Sequence, residues 1–188
     1  EKEDLRNWWN GLPQVWKSQL GSDLKLEGTL PMSEIENFND SMAIVKGQKK
    51  AIMGSEFYRF LDQIVNASTL NISGKKEITD LTVINRLSSL KSINISGTGV
   101  SDLMPLRNMN KLEVLDISNT SVTSLEPLRY CILINQLKMR NVKVDDLSVI
   151  TSFPGLTILD AGNTGISTLE DLEELTGMID LRINNTRE

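Results

Sequence analysis

An apolar-x-apolar pair recurs through the second part of this chain at Leu70/Ile72, Ile93/Ile95, Leu115/Ile117, Leu137/Met139, Leu159/Ala161 and Leu181/Ile183. The steps between first members are 23, 22, 22, 22 and 22 residues, a register that chance does not hold over six units. Further apolar positions keep the same spacing. Ala67, Leu90, Leu112, Ile134, Leu156 and Met178 stand three residues before each pair, and Val100, Val122, Val144 and Ile166 seven after, with Ile78 one place late. Leu81, Leu103, Leu125, Leu147 and Leu169 follow, then Ile84, Leu106, Leu128, Ile150 and Leu172. A unit of this length cannot bury such a set alone, so each must pack against its neighbours in a coil.

A second ladder supports the register. Asp80, Asp102, Ser124, Asp146 and Thr168 each precede the outer Leu-x-x-Leu, and all are residue types that satisfy the orphan N–H groups of a starting helical turn. Pro105 and Pro127 fall early in those turns, where a missing N–H costs nothing. The run Leu112-Glu-Val-Leu115-Asp-Ile117-Ser-Asn119-Thr120-Ser-Val122-Thr-Ser-Leu125-Glu-Pro-Leu128 resembles the leucine-rich repeat family, in the 22-residue form of bacterial internalins and of phosphatase-binding regulators. The resemblance covers residues 64–188. It implies an α/β fold: a right-handed solenoid of about six repeats, with a parallel sheet on the concave face and short 3₁₀ or α turns on the convex face. The usual ladder asparagine is replaced by Thr98, Thr120, Thr164 and Thr186, whose hydroxyls can partly take over its bonds, and by Val142, which cannot. A local irregularity is expected at Val142.

Residues 1–66 lack the repeat and read as a helical N-terminal cap, leaving 67–188 as the repeat domain. Leu5, Trp8, Leu12, Val15/Trp16 and Leu20 fall at helical spacing, broken at Gly11-Leu12-Pro13. Ser33 with Glu36 reads as a capping box opening a helix that carries Ile35, Phe38 and Met42 on one face and closes at Gly47. Lys46, Lys49 and Lys50 form a basic loop, and Ser55 opens a last helix with Phe57, Phe60, Leu61 and Ile64. Trp8, Trp9 and Trp16 read as a plug for the open end of the solenoid, or alternatively as a sugar-stacking stripe.

Composition narrows the chemistry. The 188 residues carry a net charge of −5, which lacks the basic footprint of a nucleic-acid binder. No apolar run approaches the roughly 18 residues of a membrane-spanning helix. The absence of histidine removes imidazole-based triads, metal sites and pH switches. The single cysteine, Cys131, shares an apolar register position with Ile64, Leu87, Met109, Phe153 and Leu175 and reads as a buried hydrophobe. The acidic run Glu170, Asp171, Glu173 and Glu174 reads as a solvated turn rather than a calcium loop. No cofactor or metal is expected. The chain begins at Glu1, and its Asn-x-Ser/Thr triplets at Asn39, Asn66, Asn71, Asn94, Asn119 and Asn184 fit a eukaryotic secretory route poorly. With the resemblance, this leans to an exported or cell-surface bacterial protein, with a cytoplasmic one as the alternative.

In this fold the residues flanking the buried pairs face the concave side. The column between pair members reads Asn71, Asn94, Asp116, Lys138, Asp160, Arg182. Its last four members alternate in sign, which suggests a cross-strand salt-bridge ladder, a recognition strip, or both. Flanking columns add Thr69, Ser92, Val114, Gln136, Ile158 and Asp180 on one side and Ser73, Ser96, Ser118, Arg140, Gly162 and Asn184 on the other. The expected centre of a protein- or peptide-binding face is therefore Asp116, Gln136, Lys138, Arg140, Ile158, Asp160, Asp180 and Arg182. Arg140 is its best anchor, since its small neighbours leave the guanidinium free. Asp116 and Asp160 could be a carboxylate pair for inverting sugar hydrolysis, but Lys138 between them holds both ionised, so no enzyme is expected. The alternatives are a structural unit self-associating as a homodimer through the uncapped sixth repeat or the tryptophan cap, and glycan recognition by the cap tryptophans.

Overall fold

A computed structural model of the chain describes residues 1–22, 25–26, 30–39, 42–51, 54–144, 146–166, 172–173 and 175–184. These form two compact units, Glu1–Asn66 and Ala67–Glu188. In the second unit, six three-residue strands make one parallel sheet: β6 (Thr69–Asn71), β7 (Ser92–Asn94), β8 (Val114–Asp116), β9 (Gln136–Lys138), β10 (Ile158–Asp160) and β11 (Asp180–Arg182). Each strand pairs with the next in unbroken register, Leu70 against Ile93, Ile93 against Leu115, Leu115 against Leu137 and Leu137 against Leu159. Between strands the chain returns through 3₁₀ turns at Thr82–Arg86, Met104–Leu106, Glu126–Tyr130 and Ser148–Ser152.

The register positions read from the sequence line the core. Ile93, Ile95, Leu115, Ile117, Leu137, Met139, Leu159 and Ala161 are fully enclosed, as are Leu106, Leu128 and Ile150 from the turns. Burying one such aliphatic side chain stabilises by roughly 1.5–3 kcal/mol, so the repeat set supplies most of the driving force. The turns begin as expected: carboxylate oxygens of Asp80, Asp102 and Asp146 accept the N–H two residues on at 2.8 Å, and Ser124 does so at 3.2 Å. Thr168 and Leu169 lie outside the described residues. Cys131 is buried, its Sγ 3.3 Å from the Leu106 carbonyl oxygen, and burial pushes the thiol up to about 11.

The first unit has helices α1 (Lys2–Gly11), α2 (Gln14–Leu20) and α3 (Gly54–Val65), with the α1–α2 break at Pro13. A short antiparallel pair, β1 (Lys25–Leu26) and β2 (Leu30–Pro31), follows α2. The helix expected from Ser33 to Gly47 is instead a 3₁₀ turn, Met32–Glu34, followed by an antiparallel sheet of β3 (Ile35–Asn39), β4 (Met42–Val45) and β5 (Gln48–Ala51). The misleading signal was Ile35 and Phe38, three apart and both buried. A register shift between Ile35 and Asn37 inserts an extra residue, which turns the strand's period of two into an apparent helical three. Gly47 is no helix stop. Lys46 and Gly47, at φ 49° and 75°, form the tight turn between β4 and β5. Lys49 and Lys50 are exposed on β5 rather than in a loop. Trp9 and Trp16 are buried, Trp9 donating to the Ile35 carbonyl and meeting Phe57 edge-on at 6.3 Å, so neither of these two offers an open ring, while Trp8 is half-buried. Lys17 is buried too, its Nζ donating to the carbonyls of Asn10 and Glu36, and desolvation holds its pKa below the ordinary lysine value.

Candidate functional site

The concave surface is built by the first and last residues of each strand and by the residue two beyond the strand, those between them being buried in the first five repeats. Asn71, Asn94 and Asp116 each turn a side-chain oxygen back onto the N–H two residues on, at 3.1, 3.0 and 2.9 Å, and Asp160 does the same at 3.4 Å. This local acceptor role suits Asn and Asp alike and ends each strand with a satisfied donor. Lys138 occupies the same register position and has no acceptor to offer. Its partner N–H, that of Arg140, goes instead to Ser118 Oγ of the preceding repeat at 3.2 Å.

The chain then enters a left-handed turn at Gly74, Gly97, Asn119, Asn141 and Asn163, the asparagines at φ 56–57°. Backbone bonds run from repeat to repeat here, Asn119 N–H to Arg140 O at 2.8 Å and Asn141 N–H to Gly162 O at 2.9 Å. The side chains form a ladder of their own: Asn141 Nδ2 donates to Asn119 Oδ1 at 2.7 Å, and Asn163 Nδ2 to Asn141 Oδ1 at 2.8 Å. This ladder was missed in the sequence. Its signal was the shared Gly-or-Asn choice one place before the threonines, the residue types that tolerate positive φ. The threonines bond within their own repeats, Thr98, Thr120 and Thr164 each donating to the carbonyl three residues back at 2.6–2.8 Å. Val142 causes no irregularity: it is buried, and the backbone ladder passes through Asn141 unchanged.

The charges pair differently from the expected ladder. No ion pair joins Asp116, Lys138 and Asp160 along the column. Arg140 Nη1 reaches diagonally to Asp160 Oδ1 at 3.2 Å, and Arg182 bonds Asp180 of its own strand at 3.1 and 2.7 Å. That bond is the first cause of the raised Arg182 pKa. Arg140 is therefore not the free anchor expected; one arm is held, and the space it crosses exists because residue 162 is a glycine. Asp160 is only 8% exposed beneath it. Lys138 stays exposed, and its side-chain ammonium makes no hydrogen bond or ion pair with the described residues. Beside it Gln136 lies in register between Val114 and Ile158, and all three are half-buried. The structure thus brings Asp116, Gln136, Lys138, Arg140, Ile158 and Asp160 onto one continuous face, with Asp180 and Arg182 as its last strand.

Among the described residues no cluster of metal-ligating side chains occurs, and no helix is long and apolar enough to cross a membrane. Glu170, Asp171 and Glu174, like Thr186, lie outside the described residues.

No protein-family model matches the chain, and no curated protein sequence does. Solved structures do. An internalin C2 from Listeria monocytogenes is similar over 65% of this chain and 54% of its own, at 24% identity and a TM-score of 0.61. An internalin (InlF) from the same organism matches over 66% of this chain and 36% of its own, at 25% identity and 0.59. The functional domain of InlJ, also from L. monocytogenes, covers 95% of this chain and 32% of its own, at 15% identity and 0.63. The chain thus spans about half the length of the first of these and about a third of the others. The InlJ domain includes a cysteine ladder, whereas this chain has a single cysteine, Cys131. With the repeat register, the parallel sheet and the 3₁₀ returns, these likenesses show that the chain has the leucine-rich-repeat fold seen in the internalins.

Proposed function

We propose that the chain is a non-enzymatic protein-binding module, residues 67–188 forming the recognition domain and residues 1–66 its N-terminal cap. The working surface is the concave face at Asp116, Gln136, Lys138, Arg140, Ile158, Asp160, Asp180 and Arg182. Lys138 carries this reading. Its register position serves the fold when filled by Asn or Asp, as at residues 71, 94, 116 and 160, and a lysine there forfeits that bond and leaves an unneutralised charge on the surface. A residue that the fold does not need, at the centre of a rigid sheet, fits a partner's carboxylate or carbonyl. Catalysis fits the same face poorly, because Asp160 is covered and its Oδ1 is held by Arg140.

The likeness to bacterial internalins supports a bacterial, exported setting, which fractionation of the producing cells checks. The binding reading is tested by affinity capture from the producing organism and its host, comparing wild type with Lys138→Asn. That substitution restores the local strand-exit bond, so it leaves the fold intact. A partner held by the wild type and lost by the variant supports the concave site, and one retained by both sinks it.

A further inference from the structure

The three-stranded sheet of β3, β4 and β5 has two edges, and only one of them is covered. Along β3, Trp9 donates to the Ile35 carbonyl at 3.3 Å and Lys17 to that of Glu36 at 2.6 Å, while Asn10 bonds the N–H and the C=O of Phe38 at 2.8 and 2.9 Å. Trp9 and Lys17 are themselves buried, so this edge is closed to a further strand. Because Phe38 turns both its groups to Asn10, Ala43 opposite it turns its own to Lys50. The alternation then leaves the N–H and C=O of Lys49 and Ala51 on the outside of β5. The two-residue turn at Lys46-Gly47 sets the same phase, with Val45 and Gln48 as a bonded pair. No bond from the described residues reaches those four outward groups.

An uncovered edge is an aggregation hazard that lysines blunt, and β5 carries two. Lys49 and Lys50 project to opposite faces of the strand and are exposed, and neither ammonium has a hydrogen bond or ion pair among the described residues. They repel a second copy of this edge, since antiparallel pairing of two such strands brings lysine close to lysine. They attract an acidic strand, and do so on both faces at once. The surface beside Lys49 offers no competing carboxylate. A cleft of about 610 Å³ there has Met42 and Ile44 on its floor and Asn37 and Asn39 beside them, and none of its described lining residues is acidic.

We propose that β5 is a docking edge for an extended acidic segment of a partner protein, which adds to the sheet as its fourth strand. The segment's main chain takes the outward N–H and C=O of Lys49 and Ala51. Acidic side chains on two adjacent residues meet Lys49 on one face and Lys50 on the other. The four residues of β5 span about 13 Å, room for a segment of about the same length.

The test follows amide hydrogen exchange of the full chain by NMR during titration with a blocked hexapeptide, Thr-Val-Glu-Glu-Val-Thr. One control peptide replaces both glutamates by lysine. Another N-methylates both glutamates, which removes a donor from each edge of the peptide and keeps its charge. The expected result is slowed exchange at Lys49 and Ala51 with the first peptide, and affinity weaker by about tenfold or more for either control. Lys49→Glu/Lys50→Glu is expected to weaken the first peptide by about tenfold and to bind the lysine peptide in its place. No protection of these two amides up to millimolar peptide overturns the proposal. So does equal binding of the lysine peptide or of the N-methylated one, the latter reducing the contact to charge alone. Protection that rises with protein concentration in the absence of peptide also overturns it, by giving the edge to a second copy.

Discussion

Arg140 reaches Asp160 only by lying across residue 162: a Cβ built there stands 3.1 Å from Nη1 of Arg140 and 2.5 Å from the Asn184 side-chain oxygen. Gly162→Ala is therefore expected to displace these flexible side-chain ends, pushing the guanidinium off the carboxylate at a cost of about 1 kcal/mol or less. Urea unfolding of Gly162→Ala, Arg140→Gln and the double variant checks this. The two changes act on one contact, so the double variant should cost clearly less than their sum.

Lys138→Asn is expected to raise stability by about 0.5–1 kcal/mol by restoring an acceptor for the Arg140 N–H. In wild type that N–H depends on Ser118 Oγ, so Ser118→Ala should cost about 1 kcal/mol there and much less beside Lys138→Asn. Equal costs in both backgrounds would show that the two acceptors are not interchangeable.

Asn141 accepts one ladder bond, donates another and holds φ at 56°. Asn141→Ala loses both bonds and puts a Cβ on a left-handed backbone, for an expected loss of about 2 kcal/mol. Asn141→Gly removes the bonds but not the conformational tolerance and should cost about half as much. Thermal unfolding of the two variants separates side-chain bonding from backbone strain.

The Cys131 thiol is raised from 9.0 to about 11 by burial, so the unfolded chain ionises first as pH rises. Stability from this group is intact below pH 9 and declines between pH 9 and 11, by about 2–3 kcal/mol in all. Cys131→Ala should be less stable at neutral pH but should lose that part of the alkaline decline. In the native wild type, thiol reagents at pH 8 should react only on the timescale of unfolding.

The repeat domain was legible because its core positions are fixed by spacing alone: Leu115, Leu137 and Leu159 had to be neighbours once 22 residues separated them. The hairpin of residues 35–51 was not, because a single inserted residue moved Phe38 onto the face of Ile35 and imitated a helix. The concave residues were correctly placed on one face but wrongly connected. Alternating charge along Asp116, Lys138, Asp160 and Arg182 suggested pairing within the column, whereas Asp116 bonds its own backbone and Asp160, besides bonding its own, pairs with Arg140 two residues past Lys138. Asn71 and Asn94 in the same column already carried that information, since an amide can do the same job and cannot form a salt bridge.

The asparagine ladder is directional. Asn163 donates to Asn141 and Asn141 to Asn119, so the middle member gives its hydrogen to the repeat before it and offers its oxygen to the repeat after it. A copy of residues 120–141 inserted after Asn141 would meet the same donor, acceptor, turn and buried pair that it left behind. The domain is thus open to growth and shortening by whole repeats within its own interior, and its length can evolve without new contact chemistry.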